Sequence, residues 1–244
     1  MRVVRICYKD LQENEDILLI DGKHKHHLIN VLRCRLGQVL SIFNGKGFEC
    51  SGKISTINKN HLTVTIFDRI LVPDNRLPLN LFIALIKPER MNWAIAKATE
   101  LGVKSINFMI TEFTDKRYTD NQAKKYMRHW NLIAAGACEQ SHNNWLPKIN
   151  LPFKFREVIN LKYTRLIAHP GCEWTPINVK SEPVALCVGP EGGFSAKEIK
   201  MAKNSSSMLT GLGPNILRAE TAAIVGLSLL AREMGRFSYC SDMQ

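Results

Sequence analysis

A short apolar run, a glycine-rich turn and a helix start follow one another between residues 184 and 198. Residues 184–188 (Val-Ala-Leu-Cys-Val) have the composition of a buried strand. Three of the next five residues are glycines, which admit positive φ and let a ligand come close to the backbone. Ser195 and Glu198 then have the spacing of a capping box, which predicts a helix N-terminus. In an α/β protein a small ligand binds at such a place, at the carboxyl edge of the sheet, although a tight structural turn has the same composition.

The same pattern occurs again in residues 208–221, where a short strand and the loop Gly-Leu-Gly-Pro-Asn-Ile-Leu lead into a long apolar helix. A third candidate loop, His-Pro-Gly at residues 169–171, also follows a predicted strand. No Gly-Lys-Ser/Thr follows either glycine-rich turn, and neither turn spells Gly-x-Gly-x-x-Gly, so the usual phosphate and dinucleotide signatures are missing. The loops therefore suit a nucleoside-like ligand held by backbone groups, with the apolar Ile216 and Leu217 beside a flat ring.

Strand and helix alternate from about residue 79 onward, which predicts a parallel α/β sheet. The predicted elements are strands 79–86, 103–110 and 165–168, and helices 88–101, 121–140 and 219–234. The N-terminal part instead contains short period-two strands, which predict a small β-barrel. Those strands are 17–20, 39–43, 52–57 and 62–67, with one helix at 26–35. The proline-containing segment 72–78 predicts two domains, residues 1–73 and 74–244.

The formal net charge of +11 predicts a polyanionic partner, with simple solubility as the alternative. No run of about 18 apolar residues occurs, and the N-terminus has no apolar stretch typical of a secretion signal, so we expect no membrane span. Seven cysteines are scattered singly without a Cys-x-x-Cys, which predicts reduced thiols in a cytoplasmic protein. His24, His26 and His27 have no cysteine or carboxylate at ligand spacing, so we expect no metal site.

Three blocks of the sequence resemble, in order, the signature blocks of the 16S ribosomal RNA uracil-N3 methyltransferases, a family of the SPOUT class. They are residues 137–141 (Ala-Cys-Glu-Gln-Ser), 189–193 (Gly-Pro-Glu-Gly-Gly) and 212–222 (Leu-Gly-Pro, then Ile-Leu-Arg-Ala-Glu-Thr-Ala). His27, Arg33 and Gly37 also fit the family, so the resemblance covers nearly the whole chain.

The resemblance implies a SPOUT-type parallel sheet with a C-terminal trefoil knot, an N-terminal PUA-like RNA-binding module, and a homodimer that packs beside the knot. It implies S-adenosylmethionine as the methyl donor and N3 of a uridine in 16S rRNA as the acceptor, in naked RNA or in the assembled 30S subunit. The residues expected to bind the cofactor are His169, Pro170, Gly171, Val188, Gly189, Pro190, Glu191, Gly192, Leu212, Gly213, Ile216 and Leu217. The residues expected to bind RNA are Arg2, Arg5, Arg33 and Arg35.

Arg218, at the edge of the last loop, is the candidate catalytic residue. N3 of uracil carries a proton, and a nearby cation stabilises the anion that develops when the proton leaves. A salt bridge from Arg218 to Glu220 or Glu191, which would hold the loops together, accounts for an arginine at this position equally well. Glu191 is a candidate to orient the cofactor or to cap a helix.

Two positions depart from the family pattern, because Asn143 and Asn215 stand where an arginine is common. Their presence removes two possible contacts to RNA, for which His142 or Trp145 are candidate replacements through hydrogen bonding or base stacking.

Two further classes of function stay open at this point. One is an RNA-binding protein with the same fold and no turnover, and the other is a nucleotide-binding α/β enzyme that uses NAD.

Overall fold

The computed structural model describes residues 3–115, 120–177 and 182–237. The chain forms two compact units. The first contains residues 1–75 with residues 135–146, and the second contains residues 76–134 with residues 147–244. Residues 135–146 thus pack with the N-terminal part of the chain, whereas a single boundary after residue 73 assigns them to the other domain.

The first unit is built on a five-stranded sheet with the strand order β1-β3-β4-β5-β2. The strands are β1 (Val4–Cys7), β2 (Ile17–Asp21), β3 (Val39–Phe43), β4 (Phe48–Ile57) and β5 (His61–Leu71). β1 pairs with β3 in parallel, and the other neighbours are antiparallel. Inward-facing side chains such as Ile42, Ile54 and Val64 form the core, as the period-two pattern predicts. The four predicted strands are confirmed, and β1 was not predicted.

The helical segment of this unit begins and ends earlier than predicted. α1 (Gly22–His26) continues into a π-helical turn over His27–Val31, whereas the sequence predicts a helix over residues 26–35. Arg33 has a φ of 53°, in the left-handed region, and this conformation cannot continue a right-handed helix. The apolar spacing that favours helix beyond residue 31 is therefore overridden by the turn at Arg33.

Arg5 lies inside the first unit and not on its surface. The residue is 8% exposed, its Nη1 donates to the carbonyl oxygen of Cys138 at 2.7 Å, and its guanidinium stacks on the Phe43 ring. Its Nη2 donates to the side chain of Asn144 and, at 3.3 Å, to Oε2 of Glu49. The structure therefore corrects the role predicted for Arg5 as an RNA contact, because this guanidinium is used to join β1 to the other segment of the unit.

Glu139, in the first of the three sequence blocks, also has a structural partner. Its Oε1 accepts a hydrogen bond from the backbone N–H of Cys7 at 2.8 Å. Burial raises the pKa of the Glu139 carboxyl, and the bond from Cys7 opposes that rise. Cys7, Cys138 and Phe43 form a small apolar cluster beside the contact. This block of the sequence therefore packs the first unit.

The second unit contains a six-stranded sheet with the order β11-β9-β10-β6-β7-β8, and its neighbouring strands are parallel throughout. The strands are β6 (Leu79–Ala84), β7 (Ser105–Ile110), β8 (Lys148–Lys154), β9 (Thr164–Ala168), β10 (Val184–Val188) and β11 (Met208–Thr210). Every residue of β10 is buried, because the strand lies between two others with its apolar side chains covered on both faces. The predicted parallel α/β sheet is confirmed.

The remaining helices are α2 (Pro88–Glu100), α3 (Asp120–Ser141), α4 (Phe155–Val158), α5 (Ala196–Asn204) and α6 (Ala219–Glu233). Pro88 begins α2, as predicted, and Gly102 follows the end of the helix with a φ of 76°, the conformation of a glycine C-cap. β8 and α4 were not predicted from the sequence, because Pro152 interrupts the strand pattern of β8 and α4 has only four residues. β8 is at the edge of the sheet, where a proline is tolerated.

Four buried or half-buried polar side chains form a ladder across β6, β7 and β8. Oγ of Ser105 donates to Oδ1 of Asn80 at 2.7 Å, and Nδ2 of Asn107 donates to Oγ of Ser105 at 2.8 Å. Nδ2 of Asn150 then donates to Oδ1 of Asn107 at 2.7 Å. Each of these buried polar groups thus has a hydrogen-bond partner. Without one, a buried polar group lowers the stability of the fold by about 1–3 kcal/mol.

α6 packs on its own sheet through small residues. A Cβ at Gly226 would lie 2.7 Å from Cδ2 of Leu186, and Ala223 is fully buried.

Among the described residues, no helix is long and apolar enough to cross a membrane. The same described ranges contain no group of three or more side chains that is able to hold a metal ion. The six described cysteines are free thiols.

Candidate functional site

The structure brings the three predicted loops to one edge of the second unit's sheet. β9 lies between β11 and β10, and the three strands are parallel, with Ala168 beside Thr210 and Ile167 beside Cys187. Their carboxyl ends therefore meet at the same edge. The segments that follow them are residues 169–171, 189–193 and 211–217, the loops singled out from the sequence.

The loop of residues 189–193 is closed by its own contacts. The backbone N–H of Gly193 donates to the carbonyl oxygen of Pro190 at 2.8 Å. The predicted capping box then forms: the N–H of Ser195 donates to Oε2 of Glu198 at 2.9 Å, and the N–H of Glu198 donates to Oγ of Ser195 at 3.3 Å. The other carboxylate oxygen of Glu198 accepts from the N–H of Glu112 at 2.9 Å. The first turn of α5 is therefore satisfied within the protein.

The loop of residues 211–217 begins with a close approach of two backbones. The N–H of Gly211 donates to the carbonyl oxygen of Glu173 at 2.8 Å, and a Cβ at Gly211 would lie 1.7 Å from the carbonyl oxygen of Cys172. The N–H of His169 donates to the carbonyl oxygen of Thr210 at 2.9 Å. Residue 211 must therefore be glycine, since any side chain would collide with the segment after β9.

Each of the three loops also has a glycine that faces open space. Gly171, Gly193 and Gly213 have φ values of 79°, 70° and 109°, in the region that favours glycine. A Cβ built at any of them meets no heavy atom within 4 Å. These glycines leave room beside three backbone segments at the same sheet edge, which is the arrangement that a flat nucleoside needs if backbone groups are to hold it.

The predicted cofactor residues differ in exposure, and this difference limits what each can do. Val188, Gly189 and Pro190 are buried, so they shape the floor of the loop. His169, Leu212 and Leu217 are half-buried, and Ile216 is 86% exposed. Five more of these residues are also exposed, namely Pro170, Gly171, Glu191, Gly192 and Gly213. Their assignment to the cofactor stays a prediction.

Arg90, in the first turn of α2, is a charged residue of this edge that the sequence analysis missed. Its Nη1 lies 2.8 Å from Oε1 of Glu191, and its Nε lies 3.6 Å from Oε1 of Glu220. One of the two roles considered for Arg218, a salt bridge to Glu191 or Glu220, therefore belongs to Arg90 in this structure. The sequence gives no signal for this role, because Arg90 reaches the edge only through the pairing of β6, which it closely follows, with β10.

Phe113 packs against the loop of residues 189–193, and Cys187 lies two residues before that loop. Phe113 is half exposed, and a Cβ at Gly192 would lie 3.1 Å from the Cβ of Phe113, so this segment lies against the loop of residues 189–193. Burial raises the pKa of the Cys187 thiol, at the end of β10, to about 12. This thiol stays protonated near neutral pH, so it does not serve as a nucleophile at the site.

The residues expected to bind RNA belong to the first unit. Arg33 and Arg35 are exposed, and Arg2 lies outside the described residues. Asn143, at a position where the family often has an arginine, accepts from the backbone N–H of Trp145 at 2.9 Å through Oδ1. The indole of Trp145 donates to the carbonyl oxygen of Val72 at 3.1 Å. Trp145 therefore holds this unit together, and its use as a base-stacking platform has no support in this packing.

Two family models match the chain. The model described as an RNA methyltransferase domain matches residues 73–231, and the model described as an RNA methyltransferase PUA domain matches residues 20–67. The ribosomal RNA small subunit methyltransferase E of Buchnera aphidicola subsp. Acyrthosiphon pisum is 30% identical over 97% of this chain and 96% of the relative. The relative of the same name from Rickettsia conorii is 30% identical over 96% of this chain and 95% of its own.

Solved structures give the same result. A ribosomal RNA small subunit methyltransferase E from Neisseria gonorrhoeae, bound to S-adenosyl methionine, is 27% identical with a TM-score of 0.87 and covers 97% of this chain and 100% of its own. A Legionella pneumophila protein in complex with the bound cofactor SAM is 33% identical with a TM-score of 0.88, over 95% and 98% of the two chains. The resemblance predicted from the three sequence blocks is thereby confirmed, and this chain belongs to the ribosomal RNA small subunit methyltransferase E family.

Proposed function

We propose that this chain transfers the methyl group of S-adenosylmethionine to N3 of a uridine in the 16S rRNA of the small ribosomal subunit. One observation carries the proposal: three loops after adjacent parallel strands meet at one edge, and each has a left-handed glycine that faces open space. The related structures from Legionella pneumophila and Neisseria gonorrhoeae hold this cofactor, and the curated relatives are named as small-subunit rRNA methyltransferases. The choice of N3 of uridine rests on the resemblance to the family.

The residues at the sheet edge fit S-adenosylmethionine. Backbone groups beside Gly171, Gly193 and Gly213 are accessible to the polar atoms of a nucleoside, and Ile216 and Leu217 offer apolar surface to a ring. S-adenosylmethionine supplies a methyl group that its sulfonium has already activated. The protein therefore needs no nucleophile of its own, in agreement with the protonated Cys187 thiol. The main task of the protein is to hold the acceptor nitrogen in position for attack.

Arg218 acts on the acceptor base. N3 of uracil becomes nucleophilic as its proton leaves to water, and negative charge then develops on the ring. Arg218 is exposed at the N-cap of α6, and the described part of the chain contains no ion pair of Arg218. A guanidinium in that place stabilises the developing anion, and such a preorganised contact is typically worth about 10²- to 10³-fold in turnover.

The first unit brings RNA to the site. The net charge of +11, the match to a PUA domain and the exposed Arg33 and Arg35 support this role. The target base must be unpaired or flipped out of a helix, because pairing occupies N3. The homodimer, the trefoil knot and the cytoplasmic location are part of the same proposal. Sedimentation of the purified protein tests the dimer.

Methyl transfer to isolated small ribosomal subunits tests the proposal. Subunits that lack their own modification are incubated with the protein and isotope-labelled S-adenosylmethionine, and the labelled nucleoside is mapped by nuclease digestion and mass spectrometry. We expect label at N3 of one uridine. Label on a carbon atom or on a ribose contradicts the N3 assignment, and RNA binding without transfer indicates a binding protein.

Calorimetric titration with S-adenosylmethionine and with NAD separates a methyltransferase from a dehydrogenase. Naked 16S rRNA, assayed in parallel, identifies the form of the substrate.

A further inference from the structure

Arg90 is the cation shared by two acidic side chains at the edge that carries the loops. Its Nη1 is 2.8 Å from Oε1 of Glu191, which lies in the loop of residues 189–193. Its Nε is 3.6 Å from Oε1 of Glu220, which lies in the first turn of α6. A single side chain from α2 thus connects two segments that are distant in sequence and both adjoin the candidate site.

The two halves of this contact differ in burial. The side chain of Glu191 is 47% exposed, so water screens its pairing and the contact contributes little to stability. The side chain of Glu220 is only 11% exposed, and its Oε2 is buried without a hydrogen-bond partner among the described residues. A buried carboxylate that has lost its cation is strongly destabilising. Glu220 therefore depends on Arg90 much more than Glu191 does.

Charge balance connects this contact to Arg218. One guanidinium against two carboxylates leaves the cluster negative, and without Arg90 neither carboxylate keeps an ion pair with a described residue. Arg218 stands at the N-cap of α6, two residues before Glu220, and its side chain is exposed. Since the guanidinium of Arg218 is always charged, the unpaired carboxylates would attract it. That attraction would draw Arg218 away from the base on which it acts.

We infer that Arg90 is a positioning residue: by pairing with Glu191 and Glu220 it keeps both carboxylates from capturing Arg218 and so leaves Arg218 to the RNA base. The inference rests on the proposed function, because it concerns the residue proposed to stabilise the transition state. Arg90 itself does not touch the reacting atoms. Loss of Arg90 therefore acts by leaving carboxylate charge unpaired, and removal of the charge on Glu220 restores methyl transfer.

Single-turnover methyl transfer by Arg90→Ala, Glu220→Gln and the double variant tests this. We expect Arg90→Ala to slow transfer about 30-fold, within the roughly 10²-fold that a misplaced catalytic group costs, with S-adenosylmethionine affinity changed about 3-fold or less. Glu220→Gln in the Arg90→Ala background removes the buried unpaired charge, and we expect it to recover about 10-fold of the loss. Arg90→Gln, which keeps a donor but no charge, serves as a second variant with less cavity and is expected to show the same loss and rescue.

Lys97→Ala is the matched control. Lys97 is on the same helix, and its Nζ pairs with Oε1 of Glu100 at 2.8 Å, so its loss breaks an ion pair of α2 elsewhere. We expect its transfer rate to stay within about 2-fold of wild type, as usual for a surface pair. Loss of activity in the Arg90 variants without rescue by Glu220→Gln overturns the inference, as does wild-type activity in Arg90→Ala. Failure of the wild-type protein to transfer a methyl group refutes the proposed function instead, so the two failures are distinct.

Discussion

The loops after β10 and β11 are both rich in glycine, but they enter their helices through different N-cap residues. Each leaves a parallel strand, passes through glycines and enters a helix. The N-cap residues have nearly the same backbone, with φ −68° and ψ 158° at Ser195 and φ −65° and ψ 152° at Arg218. Ser195 caps α5 in a reciprocal box with Glu198, whereas Arg218 makes no side-chain cap on α6.

The β10 loop therefore ends in a helix start that a side chain caps. The β11 loop ends in a helix start without such a cap, and it lacks the stability that a cap provides. The N-terminal N–H groups of a helix need acceptors, and a serine, threonine or aspartate at the N-cap supplies one at no cost to the fold. An arginine in that place provides no acceptor, and it projects a permanent charge from the helix start. A residue that breaks the capping rule at the edge that carries the loops is the kind of exception expected at a functional site.

We expect the largest effect from a substitution at Gly211, because the β11 loop begins with a close approach of two backbones that the β10 loop does not have. Gly211→Ala places a methyl group where the carbonyl oxygen of Cys172 lies, so we expect a loss of about 4 kcal/mol or more in the free energy of unfolding, or no folded protein. Chemical denaturation followed by circular dichroism measures it. Gly136→Ala is the control, because a Cβ at this exposed helical position meets nothing within 4 Å. Helix propensity then favours alanine by about 0.5–1 kcal/mol. Equal stability of the two variants contradicts the close approach.

Removal of the charge at the open helix start should affect turnover and leave binding intact. We expect Arg218→Ala to lower the transfer rate about 10²- to 10³-fold, the range for a lost transition-state contact. Single-turnover kinetics measure the rate, and calorimetry measures the cofactor affinity, which should stay within about 2-fold of wild type. A parallel fall in cofactor affinity assigns Arg218 to the structure of the loop and not to the base.

The two N-caps should respond to substitution in opposite directions. Ser195→Ala removes the oxygen that accepts from Glu198, so we expect a loss of about 1 kcal/mol of unfolding free energy. Arg218→Ser supplies such an oxygen to α6, and we expect a gain of about 0.5–1 kcal/mol together with the loss of turnover. Thermal unfolding of both variants measures the pair of changes. If Arg218→Ser lowers the unfolding temperature, Arg218 stabilises the start of α6 through an interaction other than a capping hydrogen bond, and the expectation is wrong.

The smallest effect is expected at the exposed apolar residue of the β11 loop. Ile216 is 86% exposed, so Ile216→Ala should change the unfolding free energy by less than about 0.5 kcal/mol. If its side chain covers the bound cofactor, partial loss of that apolar surface weakens S-adenosylmethionine binding about 3-fold. Isothermal titration calorimetry detects this change. Unaltered affinity removes Ile216 from the predicted cofactor residues.

The edge that carries the loops was predictable because its causes are local. A buried apolar strand, glycines and a capping box occur within fifteen consecutive residues around Gly189, and parallel strands place such loops at one edge. The contacts that cross the edge were not predictable in the same way. Arg90 was identified only from position in three dimensions, because nothing in the residues next to it specifies Glu191 or Glu220 as its partner.

The N-terminal unit shows the converse. An arginine at the start of a basic chain favours a surface contact with RNA, yet Arg5 is buried because residues 135–146 return to cover it. Charge and composition describe an average surface, and they cannot say which guanidinium finds a carbonyl oxygen and a carboxylate from remote parts of the chain. β1 escaped prediction because it has only four residues, and the buried Arg5 among them hides the apolar pattern of a strand.

The polar ladder through Asn80, Ser105, Asn107 and Asn150 has a consequence for how the strands line up. If β7 slid by one residue along β6, its side chains would exchange faces, and these amides and the hydroxyl would be left unmatched inside the protein. An apolar interior alone tolerates many near-equivalent alignments, whereas matched polar groups single out one. The alignment of β6, β7 and β8 is thereby fixed from within the sheet, and Nδ2 of Asn80 also donates to the carbonyl oxygen of Val184 at 3.2 Å, at the start of the strand that leads into the loop of residues 189–193.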